Sequence, residues 1–172
     1  MKKGKVLIID TSILCVYLGV PGKDTCGSDK NKRDKKRADK LLQKEEKEST
    51  TFVLPLAVII ETGNHIAQAS SKRYEMAQAL AEIMEKVADE KTPWTAFTHQ
   101  SKLWEAEGLK KLAEEWPKLA VQKISIGDAT IKAVAEYYGK LGSQVEILTG
   151  DGGLKSYEPA PPLSRLKRRR SG

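Results

Sequence analysis

The chain has 172 residues, enough to bury the core of one compact domain, and its 30 basic and 23 acidic residues give a net charge of +7. Its two cysteines, Cys15 and Cys26, form no CxxC pair, and no zinc-ligand spacing is visible, which excludes a disulfide framework or a zinc finger. No apolar run approaches the roughly 18 residues of a membrane span, and the Lys2, Lys3, Lys5 start leads into an apolar stretch broken by Asp10, unlike a secretory signal. The expectation is a protein of a reducing compartment, the cytoplasm, or the nucleus in a eukaryotic cell.

In chain order, Val6-Leu7-Ile8-Ile9 is a continuous apolar run that predicts a buried parallel strand over about 5–9. Thr11-Ser12 opens a short helix to about Leu18, and the Pro and Gly content of 19–28 predicts a loop. Residues 31–48 predict a charged surface helix with Ala38, Leu41 and Leu42 as its few apolar anchors. Phe52-Val53-Leu54 gives a second strand, and Pro55 suits the start of the helix that runs to about Ala69. Helical spacing recurs from Tyr74 to Ala88 and from about Thr98 to Glu115, with a break at Gly108 and a stop at Pro117. Leu119 to Ile124 predicts a third strand, residues 126–141 a helix, and Gln144 to Thr149 a fourth strand. The alternation predicts an α/β fold with a parallel sheet and helices on both faces.

Four carboxylates stand out against this frame. Asp10 ends the first strand and Asp151 follows the last, so both are delivered to the carboxyl edge of the sheet, where open α/β folds place their sites. Glu61 interrupts the apolar helix Leu56-Ala57-Val58-Ile59-Ile60, where an unpaired carboxylate is costly. Asp128 lies three residues after Ser125 at a helix start. Each aspartate also has a local role: Asp10 can cap the helix after it, Ser125 and Asp128 form a capping arrangement, and Asp151 suits its Gly-rich turn. Should they converge, two carboxylates about 5 Å apart repel by roughly 3 kcal/mol at an effective dielectric near 20, so the pocket calls for protons or a cation. All-oxygen donors suit Mg²⁺ or Mn²⁺, and the matching chemistry is metal-assisted phosphodiester hydrolysis.

The segments Val6-Leu7-Ile8-Ile9-Asp10-Thr11-Ser12, Leu54-Pro55 followed by Glu61 and Asn64, Ser125-Ile126-Gly127-Asp128-Ala129 and Ile147-Leu148-Thr149-Gly150-Asp151 together resemble the PIN-domain nucleases, over about residues 4–157. The resemblance implies a three-layer α/β/α domain over residues 1–158, with a central parallel sheet of four or five strands and extra helices in the middle of the chain. It implies a metal-dependent endoribonuclease, with Asp10, Glu61, Asp128 and Asp151 as catalytic and metal-binding residues for Mg²⁺ or Mn²⁺. Thr11 or Ser12, Thr149 and Asn64 match supporting positions. RNA is the implied partner, and the toxin-like relatives in the family add an inhibitory, antitoxin-like protein and a homodimer to the partners it allows.

Two basic clusters fit a polyanionic partner. Lys30, Lys32, Arg33, Lys35, Lys36 and Arg37 form one; Arg168, Arg169 and Arg170, with Arg165 and Lys167, form a tail over 159–172, expected to be disordered when unbound. Without that tail the chain holds 25 basic against 23 acidic residues, so the body is nearly neutral. The alternative for each is a solvated helix face or a plain flexible end. His65 shares the helical face of Glu61, with core packing or surface exposure as its default role, and Trp94, Trp104 and Trp116 are expected as packing anchors. Two other functions compete: a catalytically silent PIN-like module binding RNA or protein, and a haloacid-dehalogenase-like phosphatase. The phosphatase needs an acid two residues after Asp10, where this chain has Ser12.

Overall fold

The computed structural model describes residues 4–162. The basic tail residues Arg165, Lys167, Arg168, Arg169 and Arg170 lie outside them. The fold is α/β: a parallel three-stranded sheet in the order β4-β1-β5, with β1 at Lys5–Ile9, β4 at Thr51–Val53 and β5 at Gln144–Leu148. The central strand β1 is buried from Val6 to Ile9, which explains its unbroken apolar sequence. The register runs Val6 to Ile8 against Thr51 to Val53 on one side, and Lys5 to Ile9 against Gln144 to Leu148 on the other. A single parallel bridge from Phe52 to Trp94 extends the sheet past β4.

Helices α1 (Thr11–Leu18), α3 (Leu56–Ala67), α4 (Arg73–Ala88) and α6 (Ile126–Lys140) occupy the spans that periodicity predicts. Their apolar residues, with Leu7, Ile8, Ile9, Ile13, Leu14, Leu54, Ile131 and Ile147 fully enclosed, form one core against the sheet. The charged helix α2 (Lys35–Lys47) is tied down by more than its predicted apolar anchors. Glu45 is buried, accepts from the Thr50 hydroxyl at 2.7 Å and pairs with Lys5 at 2.6 Å; Lys5 also reaches Glu146 at 2.7 Å. This network joins α2 to the starts of β1 and β5, with each charge partnered as burial demands.

Two expectations fail. Leu119–Ile124 is no strand: helix α5 (Ala106–Val121) runs through Pro117, and the chain then turns at Gln122 and Lys123. Leu109, Leu112, Trp116 and Leu119 recur at helical spacing, and this outweighs the short Leu-Ala-Val run. Pro117 forfeits only its own N–H bond, at an exposed position. Among the described residues the sheet therefore has three strands, and a fourth or fifth is not found there. Residues 31–34 are also not helical. Asp34 is the N-cap of α2, accepting the Arg37 N–H at 2.9 Å, and Arg33–Asp34 (β3) pairs antiparallel with Thr25–Cys26 (β2) in a small hairpin.

The remaining helical segments are a 3-10 turn at Phe97–Leu103 and α7 at Gly152–Lys155. Trp94 packs edge-on against Phe52 at 5.5 Å, and the Trp116 indole N–H donates to the Ile124 carbonyl at 3.2 Å, so both act as packing anchors. Among the described residues no helix is long and apolar enough to cross a membrane.

Candidate active site

Asp10 leaves the buried strand β1 at the carboxyl edge of the sheet, its N–H still bonded to the Leu148 carbonyl of β5 at 3.0 Å. Its carboxylate caps α1, and one oxygen, Oδ2, collects every donor: the Ser12 hydroxyl at 2.9 Å, the Thr149 hydroxyl at 2.7 Å and, more distantly, the Ser12 N–H at 3.4 Å. The other oxygen accepts no side-chain or backbone hydrogen bond among the described residues and is not one of their buried unpaired atoms, so it opens on the cleft although the residue is only 6 % exposed. Donors concentrated on one oxygen fix the carboxylate plane and leave Oδ1 for a ligand. The capping role expected of Asp10 and a site role therefore coexist.

The loop after β5 is wired to the same point. Gly150 N–H donates to Ser12 Oγ at 2.9 Å, and Asp151 N–H to Thr149 Oγ1 at 2.9 Å. Asp151 then caps α7, accepting from Gly153 N–H at 2.7 Å. Glu61 arrives from α3 and accepts the Thr11 hydroxyl at 2.9 Å. The Ser125 hydroxyl caps α6, receiving the Asp128 N–H at 3.0 Å, and sets Asp128 in the first turn of that helix. Of the alternatives Thr11 or Ser12, both serve, each on a different acid.

All four acids line one cleft of about 350 Å³, together with Thr11, Ser12, Cys15, Lys23, Thr25, Cys26 and His65. Burial pushes the Asp128 carboxyl above the ordinary carboxylate range, and the charge of Asp10, then those of Glu61 and Asp151, push the same way. The four acids thus form one electrostatic cluster. Among the described residues, however, no three His, Cys, Asp or Glu side chains are drawn close enough to make a ready ligand set for a metal ion. The donor chemistry fits a hard divalent cation, and Lys23 shares the cleft with the four acids.

Other predicted residues are placed less centrally. Asn64 is exposed on α3 and is not part of the cleft wall. His65 lines the cleft. Lys30 and Lys32 sit in the hairpin turn and Lys35, Lys36 and Arg37 in the first turn of α2, exposed and without an ion pair among the described residues. Lys35 donates to the Tyr17 carbonyl and lies over that ring at 5.5 Å, and Arg37 donates to the Lys32 carbonyl at 2.7 Å. The hairpin carries this basic surface beside the cleft, because Thr25 and Cys26 of β2 form part of its wall.

Sequence reasoning missed Lys23, Thr25 and Cys26, which reach the cleft through a hairpin whose two-residue strands leave no periodic trace. Cys15, expected as a core thiol, is buried yet forms part of the same wall. Gly127 was also missed. A Cβ there would stand 2.4 Å from Glu61 Oε1, so any other residue would push the carboxylate out of its present position. Its signal was a glycine inside a helical first turn, where propensity disfavours it. On the nuclease activity that the resemblance implies, Gly127→Ala is expected to cut RNA cleavage about a hundredfold by displacing Glu61, while the better helix propensity of Ala holds stability within about 1 kcal/mol. Cleavage rates beside a melting curve check this.

No family model, curated protein or solved structure matches this chain.

Proposed function

We propose that this chain is a metal-dependent endoribonuclease of the PIN type, with its sheet and helices in a three-layer α/β/α arrangement. One observation carries the reading: four carboxylates from four separate parts of the chain, two of them in the loops that follow β1 and β5, line one cleft at the carboxyl edge of a parallel sheet. Asp10, Glu61, Asp128 and Asp151 would hold Mg²⁺ or Mn²⁺. When bound, the cation supplies charge neutralisation and Lewis acidity toward a phosphodiester. The protein supplies orientation. Ser12 and Thr149 lock the plane of Asp10, Thr11 steers Glu61, and the Thr149–Asp151 loop is pinned to the helix that Asp10 caps.

The serine at position 12 also speaks against the phosphatase alternative, since its hydroxyl is engaged by Asp10 and Gly150 and no acid stands there to shuttle a proton. The second reading is a silent PIN-like module that binds RNA or protein, favoured by the open spacing of the acids. Incubating the full chain with mixed RNA and Mn²⁺, with and without chelator, separates the two. New, chelator-sensitive RNA ends support the nuclease; binding without new ends supports the module.

The exposed lysines of the hairpin and α2 extend the reading to substrate. Lys30, Lys32 and Lys36 are exposed on the hairpin and the helix after it, and the hairpin's Thr25 and Cys26 line an acidic cleft that would repel a polyanion. Changing all three to Gln is expected to lower the slope of log binding constant against log salt by about 2, at about 0.7 per lost phosphate contact on a single strand. An unchanged slope in RNA-binding titrations removes these residues from the interface.

A further inference from the structure

Arg33 differs from the other residues of its basic cluster: it alone is not fully exposed, and its guanidinium turns toward the sheet edge, with Nη1 3.4 Å from the Thr149 carbonyl. That distance is long for a hydrogen bond, and the contact does not stand alone. In the hairpin Arg33 pairs with Cys26, and the turn after Cys26 presses on the loop that Arg33 reaches. A Cβ built on Gly150 would lie 2.6 Å from Gly27 N and 2.9 Å from Cys26 Cβ, so hairpin and loop touch backbone to backbone. Gly27 is itself fixed, with φ +91° and only 2.7 Å between its own would-be Cβ and the Asn31 carbonyl oxygen. No other residue type fits that conformation and that space without displacement.

The braced loop is the one that orients Asp10. Thr149 gives its hydroxyl to Asp10 and receives the Asp151 N–H, while the Gly150 N–H holds Ser12, the other donor to Asp10. Residues 149–151 belong to no regular element. Their position is set by these few polar bonds and by whatever packs on them from outside. The hairpin is what packs there.

We propose that Arg33, with the Cys26–Gly27 turn, is a positioning residue that braces the Thr149–Asp151 loop and so holds Asp10 and Asp151 in their working arrangement, rather than a phosphate contact. The proposal rests on the reading of the cleft as a nuclease site, but its structural half stands apart from turnover. Were Arg33 a phosphate contact, its loss would weaken binding and reduce the salt slope, as for its lysine neighbours. As a brace, its loss loosens the loop and lowers the rate of the chemical step with binding intact.

The test is amide hydrogen exchange on the full chain, resolved at Gly150 and Asp151, together with RNA cleavage in Mn²⁺. In Arg33→Ala, exchange at those two amides should rise about tenfold, the loss of roughly one hydrogen bond's worth of protection, with the amides of Leu7 and Ile8 unchanged. The kcat should fall with KM and the salt slope held, and Arg33→Lys, which keeps one donor, should recover part of both effects. Gly150→Ala, which wedges loop and hairpin apart from the other side, should reproduce the exchange pattern if Arg33→Ala proves too unstable to measure. Unchanged exchange in both variants overturns the brace. A raised KM with a reduced salt slope and unchanged kcat overturns it too, and assigns Arg33 to phosphate. If the wild-type chain cuts no RNA, the nuclease reading fails, while the exchange data still decide the brace.

Discussion

Asp10→Asn is expected to lower RNA cleavage about a thousandfold while leaving the melting temperature within about 4 °C of wild type. The geometry sets both halves. All three donors to Asp10 meet Oδ2, so an asparagine that places its carbonyl oxygen there keeps every bond and turns its amide nitrogen toward the ligand side. Weaker acceptance by a neutral oxygen costs about 1 kcal/mol. Removing one charge from the cleft that the four acids share returns an amount of the same order, since like charges in a shared cleft repel and water there screens part of this. The two nearly cancel, and the fold is preserved. Activity has no such compensation, because the lost group is the buried anion facing the ligand position. Chelator-sensitive cleavage, assayed beside a thermal melt, checks the prediction; cleavage at the wild-type rate in Mn²⁺-replete buffer would remove Asp10 from the chemistry.

What could be read in advance follows from how each feature is encoded. β1 is an unbroken apolar run because it is buried, β5 keeps Val145, Ile147 and Leu148 buried around the half-buried Glu146, and α3, α4 and α6 carry a 3.6-residue stripe, so the patterns name the elements. The hairpin of β2 and β3 is held by Gly27 against Gly150 and by Arg33 against Thr149, the latter pair 116 positions apart, and no local pattern reports such a contact. The segment 119–124 shows the opposite failure: a short apolar run looks like a strand until the face it shares with Leu109, Leu112 and Trp116 is counted. Glu45 went unread as an anchor because a buried glutamate in a charged helix is visible only with Lys5 and Thr50 beside it.

The acids were legible for a simpler reason. Asp10 and Asp151 end strands whose direction fixes the edge they reach, and Glu61 is a charge in an otherwise apolar helix. What the sequence could not show was the division of labour among the hydroxyls. Thr11 serves Glu61, whereas Ser12 and Thr149 serve Asp10, because successive residues at the start of α1 point to different neighbours.

Asp128→Asn should raise the melting temperature at neutral pH, by no more than about 4 °C, and abolish metal-dependent cleavage. Ser125 is the one hydrogen-bonding neighbour of Asp128 among the described residues: its hydroxyl receives the Asp128 N–H and holds the carboxyl pKa down a little. Neutralising Asp128 therefore weakens only the Ser125 contact, whereas its charge is disfavoured by burial and by Asp10, Glu61 and Asp151, which together outweigh that contact and raise its pKa above the ordinary 3.8. The sign follows by linkage. Between 3.8 and the raised native value the folded state binds more protons than the unfolded state, so wild-type stability falls as pH rises through that window and then levels. The Asn variant lacks this fall, and its advantage should be small near pH 4, grow across the window and hold at pH 7. The cleft's partial exposure to water limits its size. Mn²⁺ should reverse the order at pH 7, stabilising wild type by mass action more than the variant, and lose that effect in acid, where protons compete for the same oxygens. Melting curves of both proteins across pH, with and without Mn²⁺, test this without an RNA substrate. Equal melting temperatures for the two at neutral pH, unmoved by the ion, would mean that the four acids share a cleft without sharing a charge problem, and the case for a cation there would fall with it.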